Sequence, residues 1–110
     1  MKDTNEFEKG KIFSYINSIS YADKAVVSKH ILKKDAGNIS LFAFDKGEGL
    51  TEHTAPFDAS VFIVDGKADI IIDGKSNILE AGETIIMPAN IPHALNAVEK
   101  FKMVLTMIKK

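Results

Sequence analysis

Gly82-Glu83-Thr84-Ile85-Ile86-Met87-Pro88-Ala89-Asn90-Ile91-Pro92-His93 is the stretch on which the fold turns. A turn glycine opens it and a short β-branched run follows. Two prolines then bracket a tight reversal and fix how the chain enters the next strand, and so how His93 is aimed. Asn90, between the prolines, is of a type that tolerates positive φ better than most residues with a side chain. A second stretch repeats this grammar upstream: Gly47-Glu48-Gly49-Leu50-Thr51-Glu52-His53-Thr54-Ala55, followed by Ala59 and Gly66.

Working outward, the rest of the chain is strand and turn. Ala25 to Leu32 is β-branched and ends in the turn cluster Lys33-Lys34-Asp35-Ala36-Gly37-Asn38, after which Ile39 to Phe44 is a strand. Ala59 to Val64 and Ala68 to Asp73 flank Asp65-Gly66-Lys67, which predicts a hairpin. Turns at Asp73-Gly74 and Glu80 to Glu83, then Thr84 to Met87, His93 to Val98 and Phe101 to Ile108, bring the expectation to about eight strands. That spacing is the pattern of a sandwich or small barrel. Residues 1–24 form an N-terminal arm or short helix, the helical alternative resting on Ile12, Ile16 and Ile19 at steps of four and three. The barrel occupies residues 25–110.

Alternation assigns faces. Phe101, Met103, Leu105 and Met107 share one side of the last strand; Lys102, Val104, Thr106 and Ile108 share the other. Ala59 to Val64 is apolar on both sides, so both are covered, the outer one by the N-terminal segment or a second subunit. A homodimer is the expectation.

With 110 residues the chain is one domain, large enough for a core of its own. A net charge of −1, with Lys and Glu interspersed, offers no basic stripe for nucleic acid. There is no Cys, so disulfides and thiolate metal sites are excluded. The polar, acidic start is not a signal peptide and no apolar run reaches membrane-span length, which points to a cytoplasmic protein with no membrane partner.

The two glycine-led stretches resemble the paired signatures of the cupin family, over roughly residues 25–108. The second signature runs Gly, five residues, Pro, then His, matched by Gly82, Pro88 and His93; the family's Gly after the Pro is Asn90 here. The first runs Gly, five residues, His, one residue, His, then Glu seven residues before a Gly, and Gly47, His53 and Gly66 keep that frame. The resemblance implies an all-β double-stranded β-helix (jelly-roll) barrel with an interior pocket. In the family, three His and one Glu hold a divalent metal, often Fe, Mn, Ni or Zn. Carried across, His53 and His93 keep two of these positions, whereas Ala55 and Ala59 replace the other two.

Two imidazoles alone bring no negative charge and leave half or more of the coordination sphere to water. Glu52 precedes His53 and Asp58 precedes the Glu position, so in extended strands each points away unless the chain bulges. Three readings stay open. His53, Ala55, Ala59, Val61, Met87 and His93 line a small-molecule pocket that does no chemistry, in which alanines free volume. Alternatively, His53 and His93 hold a metal weakly in a dioxygenase, decarboxylase or isomerase, with substrate or water completing the sphere. Third, the domain is a ligand-sensing or protein-binding piece; the bland reading of the histidine pair is that both only brace the barrel. His30 lies at neither signature and reads as structural, and Met87, Met103 and Met107 read as core filler.

Overall fold

Alternation along two long strands builds the molecule. The computed structural model describes residues 6–110, and the described residues contain no helix. Among the described residues seven strands follow in order: β1 (Val26–Lys34), β2 (Gly37–Phe44), β3 (Gly49–His53), β4 (Asp58–Ile72), β5 (Lys75–Glu80), β6 (Thr84–Met87) and β7 (His93–Ile108). Every pairing is antiparallel.

β4 and β7 pair along most of their length and change neighbours halfway. The first half of β4 lies between β6 and the second half of β7, which continues to β2 and β1. The second half of β4 lies between β5 and the first half of β7, which continues to β3. Two layers thus share two strands, the all-β jelly roll. The crossing falls at register shifts between Ile63 and Asp65 and between Gly66 and Ala68. Strands turn such corners through bulges. Gly66 has φ +86°, and a Cβ there would collide with the Lys100 carbonyl oxygen on β7.

Asp65-Gly66-Lys67 is therefore a bulge inside one strand rather than the expected hairpin. The expected strands His93–Val98 and Phe101–Ile108 are likewise one, β7. The short N-terminal helix is also absent: the segment before β1 is an arm with a turn near Tyr15 to Asn17. Ile19 is buried while Ile12 is fully exposed and Ile16 nearly half so, so the helical stripe is not used. Residues 1–5 of the expected arm lie outside the described residues.

Between the layers, Ala59, Val61 and Ile63 of β4 pack with Phe44, Ile70, Met87, Leu95, Phe101 and Met103. The Phe44 and Phe101 rings stack at 4.5 Å between centroids. Phe62 and Val64, on the other side of β4, pack outward with Ile31, Leu41, Ala43 and Val104, and Phe7, Ile19 and Tyr21 of the arm close over them. This chain's own arm covers the second apolar face.

Polar contacts pin the arm. Lys102 Nζ donates to the Ile16 carbonyl at 2.6 Å and Lys29 Nζ to that of Ser18 at 2.8 Å. Tyr21 Oη donates to Asp65 at 2.6 Å, and the ammonium groups of Lys100 and Lys102 stand 4.7 and 5.0 Å from the Tyr21 ring. Burial first, then the Asp65 carboxylate, pushes the Tyr21 phenol well above its ordinary range. Among the described residues no helix is long and apolar enough to cross a membrane.

Candidate functional site

His53 ends β3 and His93 begins β7, and the two are direct partners across the ladder. Their rings meet edge to face, 4.4 Å between centroids and 69° between planes. His93 is buried and His53 exposed, so one imidazole lies within the barrel and the other at its solvent side.

The loop before His93 is held by three hydrogen bonds. Asn90 N–H donates to the Ala55 carbonyl at 2.7 Å, Ala89 N–H to Asp58 Oδ1 at 2.8 Å, and Asp73 N–H to the Pro92 carbonyl at 2.8 Å. Asn90 has φ 64°, which its residue type tolerates. The loop that delivers His93 is thereby tied to the segment after His53.

Both rings are oriented by backbone. His53 Nδ1 lies 2.7 Å from the Thr51 carbonyl oxygen and His93 Nδ1 3.2 Å from that of Ile91. A carbonyl oxygen only accepts, so each Nδ1 carries the proton and the neutral ring keeps its free lone pair on Nε2.

Behind the pair lies a cavity of about 60 Å³, lined by His53, Ala55, Ala59, Met87 and His93 together with Leu50, Phe57, Leu95, Met103, Leu105 and Met107. Five of the six residues singled out from the sequence share this wall. Val61 does not; it is fully buried in the core two residues further along β4. Met103, Leu105 and Met107 are the inner face of the last strand, so alternation alone could have added them. Leu50 and Phe57 carry no comparable sequence signal. His30 stands apart on β1, 3.3 Å from Ser40 Oγ.

The donors are too few and too neutral for the divalent ion of the family signature. Ala55 and Ala59 hold two of its positions, and among the described residues no three His, Cys, Asp or Glu side chains converge on a metal-sized point. Asp58 is engaged by Ala89 N–H, and Glu52 is exposed. A divalent ion here would meet two neutral nitrogens and no charge to offset its own.

Comparison with known proteins agrees with this architecture. The Cupin domain family matches residues 40–109. A conserved protein of unknown function from Streptococcus pyogenes is 35% identical, with TM-score 0.91, over 100% of this chain and 96% of that one. A cupin 2 conserved barrel domain protein from Leptotrichia buccalis is 39% identical, with TM-score 0.86, over 88% of this chain; the match spans 47% of that protein. A cupin superfamily protein from Desulfitobacterium hafniense is 24% identical, with TM-score 0.86, over the whole of both chains, a likeness of fold. No curated protein matches the chain.

Proposed function

The chain belongs to the cupin family, and from that premise we propose that its barrel binds one compact, largely apolar molecule without a hard divalent metal. The observation that carries this reading is the cavity wall. Where the family signature places a second His and a Glu there are Ala55 and Ala59, and both line the cavity beside Leu50, Phe57, Leu95 and Leu105. What polarity remains is the two Nε2 lone pairs, which orient a ligand that donates a hydrogen bond. A small phenol or alcohol has that chemistry, its hydroxyl toward the imidazoles and its carbon skeleton against the wall. The cavity of about 60 Å³ excludes drug-sized molecules, which occupy pockets of about 300–1,000 Å³; a ring the size of phenol fills it and extends toward the solvent side where His53 lies.

The test is NMR titration of the His53 and His93 ring signals with phenol, with melting curves in Zn²⁺, Mn²⁺, Fe²⁺ and Ni²⁺ run alongside. Saturable shifts of both rings with phenol, and melting unchanged by the ions, are expected. Near-stoichiometric divalent metal in the purified protein, lost in His53→Ala and His93→Ala, would replace this reading with a metal-dependent enzyme. The homodimer is a separate proposal, supported by the exposed arm side chains Ile12, Phe13, Tyr15 and Ile16. Sedimentation velocity of the parent and of an Ile12→Ser, Ile16→Ser variant tests it, with a monomeric parent the result that removes it.

A further inference from the structure

The cavity has a property that goes beyond small-molecule binding. The heteroatom-bearing side chains among its lining residues are all lone-pair donors without formal charge in the neutral histidine state: His53 and His93, whose Nδ1 atoms face backbone carbonyls, and the thioethers Met87, Met103 and Met107. Among the described residues no carboxylate or thiolate joins them on the wall.

Strand register places two of the sulfurs tellingly. Ala59 of β4 is the direct partner of Met87 on β6 and of Met107 on β7. Directly opposed residues share a face, with Cβ atoms roughly 4.5–5.5 Å apart. Met87 and Met107 therefore flank, one on each side, the position at which the first signature would carry its carboxylate. The hard donor is missing and two soft ones stand beside the gap. Met103 shares the face of Met107, four residues earlier on β7.

We propose that this cavity is a site for one monovalent soft ion, Cu(I), held by the Nε2 atoms of His53 and His93 and the sulfurs of Met87 and Met107. Thioethers select Cu(I) over harder ions, and imidazole suits copper in general. A single positive charge also asks for less compensation from a neutral, largely buried wall than a double one. The same neutrality that disfavours a hard divalent ion leaves a soft monovalent one acceptable. Methionine also fills irregular cores, so the substitution that separates the two roles is Met to Leu. It keeps the apolar volume and removes the donor.

The experiment titrates the protein anaerobically with Cu(I) against the chromophoric chelator bicinchoninate, with X-ray absorption at the copper edge. One equivalent should bind, with sulfur and nitrogen both in the coordination sphere. Met87→Leu with Met107→Leu should weaken affinity at least tenfold while melting stays near the parent's. His93→Gln should weaken it similarly. Failure of the parent to take Cu(I) from the chelator would overturn the proposal, as would equal binding by the double Leu variant or a coordination sphere without sulfur. A parent that fails to bind Cu(I) yet responds to phenol would defeat this inference alone; a parent that responds to neither would remove the small-molecule reading as well.

Discussion

Lys102 and Met103 are neighbours on β7, yet they serve regions with opposite chemistry. Met103 points inward to a cavity whose wall bears no formal charge in the neutral histidine state. Lys102 points outward, nearly buried, with its ammonium against the Ile16 carbonyl and the Tyr21 ring. On that outer face Asp65 accepts from Tyr21, and Lys29 and Lys100 join the contacts. One sheet thus carries its charged groups on the side that fastens the arm and only lone pairs on the side that faces the cavity. The contrast teaches that charge here fastens the arm, whereas the interior presents apolar surface and lone pairs.

The sharpest way to break both regions at once is at the corner they share. Gly66 combines φ +86° with a backbone carbonyl where a Cβ would go. Strain in that conformation costs about 1–3 kcal/mol and overpacking adds a similar amount. Gly66→Ala should therefore lose about 4 kcal/mol in chemical denaturation. A midpoint within error of the parent would show that the two layers do not depend on this crossing.

Next comes the interior's lack of charge. Ala59→Glu places a carboxylate in the cavity between Met87 and Met107 with no cation to meet it, so a loss of about 2–3 kcal/mol is expected. Adding Ala55→His restores the family's full donor set. The double variant should then gain stability from Zn²⁺ or Mn²⁺ that the parent does not, as ligand linkage requires. Equal ion responses of parent and double variant would mean that the missing side chains are not what limits divalent binding.

Several features of both regions were legible beforehand, for local reasons. Alternation in Ala59–Val64 and in the last strand separated inner from outer side chains, and the two glycine-led stretches placed His53 and His93 in a common frame. Asn90 was legible as able to hold positive φ because that tolerance belongs to the residue type. What was hidden is non-local. Asp-Gly carries the same turn chemistry in a hairpin and in a bulge, and only the pairing of β4 with β7 past Gly66 decides between them. The arm's periodicity suggested a helix, but Ile19 gains more by closing over the outer core with Ile31 and Val104. The flanking of Ala59 by Met87 and Met107 is likewise a fact of register between residues far apart in the chain.

On the outer face the expected effects are smaller, because water can replace part of what a substitution removes. Lys102→Met keeps most of the apolar stem and deletes the bond to the Ile16 carbonyl, for about 1.5 kcal/mol. Loosening should be confined to the arm, read as faster amide exchange there with the His53 and His93 signals unmoved. Movement of those signals would mean that the arm and the cavity are coupled across the sheet.

Tyr21→Phe is the mildest change and the most diagnostic, since it removes one hydroxyl and its bond to Asp65, worth about 1 kcal/mol near neutral pH. Its pH dependence follows from the raised folded-state pKa. Above the unfolded tyrosine's value of about 10 the unfolded chain has released the phenolic proton while the folded chain still holds it. The folded state then binds more protons, so Tyr21's contribution is complete below that pH and declines as pH rises further. The stability curves of parent and Tyr21→Phe should therefore converge above about pH 10, with titrations common to both cancelling in the difference. Parallel curves would mean that Tyr21 ionises as readily in the fold as out of it, and that the charged groups of the outer face do not hold the arm in the way its geometry indicates.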